Sequence, residues 1–233
     1  MDYAEMASRL ENLLCLKQPA VAISFVDTPP PGVARVSAAG PAGCAYWKLA
    51  SEGEVFYTTS DDHLNCPIGA YTHGVSLPAD KADELKSMIG DMIGMGYLKE
   101  SEIPQIPHRT EPLQIAVYAP FRDSPCDPDV VVIRGDAKHG MLLTEAALGA
   151  GIGSAGGVMA RPTCAFLPHA LESQTVSPSF ACIGNRVYTE MADSELYFAI
   201  PGAQVAALLP ELEKIVDANQ KLEKFHQARR SCN

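Results

Sequence analysis

LQIAVYA at residues 113–119 and DVVVIR at residues 129–134 decide the fold class. Both are short runs rich in β-branched and aromatic residues, and both read as strands. The second is almost all Val and Ile, the composition of a strand covered on both faces. A helix is predicted after it, over about 137–148, and the glycine-rich stretch 149–157 follows. Working outward, AVAISFV (20–26), EVFYTT (54–59) and ELYFAI (195–200) read as further strands. Met6, Leu10, Leu13 and Leu14 recur at helical spacing within residues 2–16. Pro78 suits the first turn of another helix, whose buried stripe is predicted to be Leu85, Met88, Ile89, Met92 and Ile93. A last helix, from about 203 to 225, carries Val205, Leu208, Leu209, Leu212, Ile215, Val216 and Leu222 as one apolar face. Residues 226–233 are expected to fray. The segment 158–192 has no readable period.

Strands and helices alternate only loosely. The expected fold is therefore α/β or α+β, a mixed sheet with flanking helices and a long C-terminal amphipathic helix. A single domain over 1–233 is expected. The Pro-rich connector SEIPQIPHRTEP (101–112) leaves a subdivision there open.

The bulk numbers exclude several function classes. A formal net charge of −10 leaves no basic face to displace counterions from nucleic acid. The same charge disfavours anionic membranes. No apolar run approaches the ~18 residues that a membrane span requires. MDYAEMASRLENLLCLKQP has no basic stretch of the secretory kind, so a cytoplasmic, reducing location is expected. Seven cysteines in 233 residues are too few, and too odd in number, for a disulfide scaffold.

Four of those seven stand out by context: Cys44 in PAGCAYWKLA, Cys66 in HLNCPIGAYTHG, Cys164 in ARPTCAFLPHA and Cys182 in SFACIGNRVY. Each lies beside Gly or Pro, outside the apolar runs. Thiols that fill a core usually lie within those runs. There is no Cys-x-x-Cys pair, so a compact ferredoxin run and a zinc ribbon are excluded as sequence signals. Spacing alone leaves two readings open, ordinary buried thiols and ligands that converge from separate loops. Cys15 reads as core filler, Cys126 as a turn thiol, and Cys232 as part of the tail.

Other chemistry is sparse. Gly151-Ile-Gly-Ser-Ala-Gly156 matches a dinucleotide-binding string, but a helix rather than a strand precedes it. No Gly-x-Ser-x-Gly elbow, phosphate-binding loop or His-Glu-x-x-His is present. His63 and His73 bracket Cys66, and Tyr46, Trp47 and Tyr71 could wall a pocket. Arg161 and Arg186 lie near Cys164 and Cys182, and a guanidinium there favours a thiolate or receives a carboxylate or phosphate. With Gly69 and Gly184 they make the candidate cofactor-binding set.

Several segments together resemble the DUF169 family, an uncharacterised group described as archaeal and cysteine-rich. They are LKQPAVAISF, GCAYWKLA with NCPIGAYTHG, PDVVVIRGDAKHGMLLTEA, ARPTCAF and ACIGNRVYTEMADSELYFAIPG, spread from Leu16 to Gly202. The resemblance implies a fold and a shared site but no activity. It implies recurring cysteines at Cys44, Cys66, Cys164 and Cys182, and leaves Cys15, Cys126 and Cys232 outside the pattern.

The expectation is then a cytoplasmic protein in which those four cysteines hold an iron–sulfur cluster, most simply [4Fe-4S], for electron transfer or small-substrate chemistry. A haem-type tetrapyrrole or other small cofactor is the alternative, and a metal-free thiol enzyme the third. The expected partners are a small-molecule ligand or a redox protein, with a homo-oligomer left open.

Overall fold

The computed structural model describes residues 2–154 and 161–231. Its centre is a seven-stranded mixed sheet. The strands are β1 (Val21–Val26), β2 (Ala34–Arg35), β3 (Phe56–Thr59), β4 (Ile115–Pro120), β5 (Val130–Gly135), β6 (Ser177–Ser179) and β7 (Leu196–Pro201). They lie in the order β2-β3-β4-β1-β5-β7-β6. Among the described strands only β2 and β3 pair in parallel, and an isolated parallel bridge joins Ser154 to Val176. The neighbours of β1 come from later in the chain: Val21 faces Pro120 on one side and Val132 on the other. Strands from both sides of the 101–112 connector thus interleave in one sheet.

Alternation along the central strands explains the two-sided burial expected of DVVVIR. Val130 and Val132 point into one apolar core, together with Val21, Ile23, Tyr46, Trp47 and Phe166. Val131 and Ile133 point into a second, with Ala22, Leu10, Leu143 and Leu208. The second core is roofed by α1 (Tyr3–Leu14), α5 (Ala137–Gly149) and α8 (Val205–Arg230). Local chemistry sets their ends. Asp2 caps α1 by accepting from the Glu5 N–H at 2.8 Å, and Asp136 caps α5 by accepting from Lys138 and His139.

The first core lies under shorter helices: α2 (Ala45–Ser51), α3 (Pro67–Thr72), α6 (Phe166–Ser173) and α7 (Ile183–Thr189). Beyond them lies α4 (Ala79–Gly94), for which Pro78 is the N-cap rather than the first helical residue. The stripe Leu85, Met88, Ile89, Met92, Ile93 is not buried, contrary to the periodicity reading. No residue of α4 is buried, because the helix stands off the sheet and packs mainly on α3. The apolar face of α8 is also shorter than its pattern: Val205, Leu208, Leu209 and Leu212 are buried, while Leu222 is 53 % exposed. The helix runs on to Arg230, through most of the segment expected to fray. The unreadable segment 158–192 contains α6, β6 and α7, each eight residues or fewer. That is too short for a period to register. No helix among the described residues is long and apolar enough to cross a membrane.

Candidate functional site

The four context-selected cysteines sit at the entrances of short helices. Cys44 precedes α2, Cys66 precedes α3 and Cys182 precedes α7. Cys164 lies in the tight turn Thr163–Ala165 that leads into α6. Four separate loops deliver them to one cavity of about 540 Å³, which all four line. Cys44 and Cys164 are buried, and Cys66 and Cys182 are half-buried. Cys15 is exposed, Cys126 lies away from the cavity, and Cys232 is outside the described residues.

The sulfurs differ in their surroundings. Burial pushes the Cys44 thiol up to about 12, and the neighbouring Cys66 and Cys182 push in the same direction. Cys164 is raised well above the usual range, first by burial and then by Cys66. Burial raises Cys66 too, against a hydrogen bond from the Gly69 N–H to its Sγ at 3.4 Å. A Cβ on Gly69 would stand 3.2 Å from that sulfur, so this close approach needs glycine. Thr72 pulls Cys164 partly back down, and Asn185 does the same for Cys44. Asn185 is buried with its Thr189 neighbour bonded to its carbonyl groups, and its Nδ2 makes no complete hydrogen bond. Its amide N–H groups are therefore available at the cavity wall it lines.

Of the other sequence candidates, Gly69, Gly184, Tyr71 and Arg161 line the cavity. Arg186 does not. Its guanidinium donates to the carbonyls of Ala192 (2.9 Å), Phe180 (2.6 Å) and Glu195 (3.2 Å), which fixes the loop after α7. Tyr46 and Trp47 belong to the core under the sheet. His63 and His73 lie behind Gly43, where a Cβ would meet His63 Nδ1 at 3.1 Å. Their rings are 5.4 Å apart. Burial holds His63 down to about 3 and His73 down to about 4, so both are neutral. His73 Nδ1–H donates to the Gly69 carbonyl at 2.7 Å, which leaves its Nε2 without a partner, as is His63 Nδ1. Gly151 and Gly153 adopt φ of 71° and 80° after α5, and Ala155 and Gly156 of that string lie outside the described residues.

The aliphatic wall was not legible as a wall. Leu85, Ile89 and Met92 of α4 face the cavity, joined by Tyr97 and Leu98 just after that helix and by Ile103 and Ile106 from the connector. The periodic stripe was the available signal, but a stripe facing a cavity has the same period as one facing a core. Among the described residues, no group of three or more His, Cys, Asp or Glu side chains is arranged to hold a metal ion. The cysteines thus share a cavity without closing on a common point.

The profile of one protein family, described as Uncharacterised ArCR, matches residues 9–211. The chain belongs to the DUF169 family. That match spans every strand of the sheet and all four cavity cysteines. No curated protein and no solved structure matches the chain.

Proposed function

We propose that this DUF169 protein holds a cysteine-ligated iron–sulfur cluster, [4Fe-4S] in its simplest form, against one wall of an apolar cavity. One observation carries the reading: of the cysteines described, the four singled out by context are the four that line a single cavity.

The donor set fits such a group. Sulfur suits iron, and thiols raised by burial and by one another are relieved when a cationic core takes them as thiolates. Gly69, Thr72 and Asn185 present donors toward three of the sulfurs, and donors of this kind favour the thiolate. The absence of a Cys-x-x-Cys pair favours a cluster over zinc, since structural zinc sites commonly use closely paired cysteines.

When bound, the cluster supplies one-electron transfer, or Lewis acidity if one iron is left open. The chain does the rest. Cys44 and Cys164 anchor from the buried side, and Gly69, Thr72 and Asn185 set the polarity around the sulfurs. The aliphatic side chains of α4 and the connector give the space in front of them an apolar lining.

The alternatives are weaker. No histidine is among the described residues lining the cavity, which removes one axial ligand for a tetrapyrrole. Metal-free thiol chemistry, with Cys66 or Cys182 as nucleophile, needs a thiolate at neutral pH, and burial raises the Cys66 thiol against it.

Anaerobically purified protein should contain about four irons and acid-labile sulfides per chain, with a broad absorption near ~400 nm. Changing Cys44, Cys66, Cys164 or Cys182 to Ser should each lower that content, and Cys15→Ser or Cys126→Ser should not. Colourless, iron-free protein from anaerobic preparation and reconstitution, or equal iron in all six variants, refutes the cluster.

A further inference from the structure

The cavity is larger than its cysteine wall requires, and its remaining surface has a definite chemical character. One side is aliphatic: Leu85, Ile89 and Met92 from α4, with Ile103 and Ile106 from the connector. These α4 side chains are only half-buried, because they pack on empty space rather than on the sheet. Volumes of this order accommodate small organic ligands, and apolar walls with a few polar groups are usual for them.

One charged side chain lines the cavity among the described residues, and it is a cation, Arg161. No carboxylate lines it. The guanidinium rests over the Tyr97 ring at 4.5 Å, which fixes its plane. Its counter-ion, Glu102, is 3.4 Å away, with both side chains about 40 % exposed, and so the pair is held loosely. Glu102 is also engaged by the Lys99 N–H at 3.2 Å, so it keeps a partner if Arg161 turns to another anion. A planar, bidentate guanidinium at the end of an aliphatic chamber is a receiver for carboxylate.

We infer that the cavity binds a small amphipathic carboxylate, its hydrocarbon part under α4 and its carboxylate at Arg161. This rests on reading the cavity as the working site, but not on the cluster: the lining residues it uses are other than the four cysteines.

Calorimetric titration of the purified protein with octanoate, 1-octanol and octylammonium separates the two contributions, with iron content recorded for each preparation. Octanoate should bind about tenfold tighter than 1-octanol, the return of one charge-assisted pair, and octylammonium should bind most weakly. Arg161→Gln should lower octanoate to the level of octanol and leave octanol unchanged. Glu102→Gln should strengthen octanoate, since it removes the competitor. Ile89→Glu should abolish both. Octanoate binding no tighter than octanol, a preference that survives in Arg161→Gln, or no binding by any of the three overturns the inference. Protein that stays iron-free after anaerobic preparation and reconstitution yet still prefers octanoate refutes the cluster alone, and iron-loaded protein that ignores octanoate refutes the ligand alone.

Discussion

The four cavity cysteines divide at the level of single side chains: Cys66 and Cys182 are half-buried, and Cys44 and Cys164 are buried. In cluster-free protein, iodoacetamide mapped by mass spectrometry should therefore label Cys66 and Cys182 before Cys44 and Cys164. The histidine pair sets a second expectation. His63 and His73 titrate at about 3 and about 4 when folded, below the ordinary value of 6.5. Between about pH 6.5 and 4 the unfolded chain binds more protons, so stability falls as pH falls through that window. At pH 5 the two together should cost about 4 kcal/mol relative to neutral pH, if both stay neutral in the fold. Denaturant midpoints across pH 4.5–7.5 measure this, and His63→Gln with His73→Gln should flatten the curve. The convergence of the cysteines was not legible at this scale, because no two lie close in the chain. Their placement immediately before helices was partly legible, since Pro67 follows Cys66 and opens α3.

Helix α4 is where a correct element concealed an incorrect environment. Its length and period were readable, but period alone does not say what the stripe faces. The structure gives it a cavity and α3 instead of the sheet. Substitutions should separate accordingly. Ile23→Ala, at a fully buried sheet position, should cost about 2–5 kcal/mol of stability by denaturant unfolding. Leu85→Ala on α4 should cost less than about 1 kcal/mol, yet weaken octanoate several-fold. The amides of α4 should also exchange with solvent faster than those of β5, which lies between two strands. The central strands were legible because each is six residues long with distinct inward sets on both faces. Residues 158–192 were not, because their elements are short and owe their conformation to contacts with the rest of the fold.

Across the whole molecule, chemistry and support are divided between the faces of the sheet. One face carries α2, α3, α6, α7 and the cavity, and the other carries α1, α5 and α8 as a roof. The last turns of α8 add little to that roof: residues 220–231 are exposed, with Lys138–Glu223 as a solvent-facing pair. A chain ending at Gln220 should lose less than about 1 kcal/mol, whereas one ending before Leu208 should not fold. Circular dichroism melts of the two truncations check this.

The position of β1 bears on how the protein is made. It is the first of the described strands in the chain, yet both of its neighbours, β4 and β5, begin after residue 112. Until then β1 has neither edge paired, and Ala20, Ala22, Val21 and Ile23 have no core to enter. A chain cut at the connector should therefore keep an apolar strand unpaired and aggregate more readily than the whole chain, which light scattering of the two would measure.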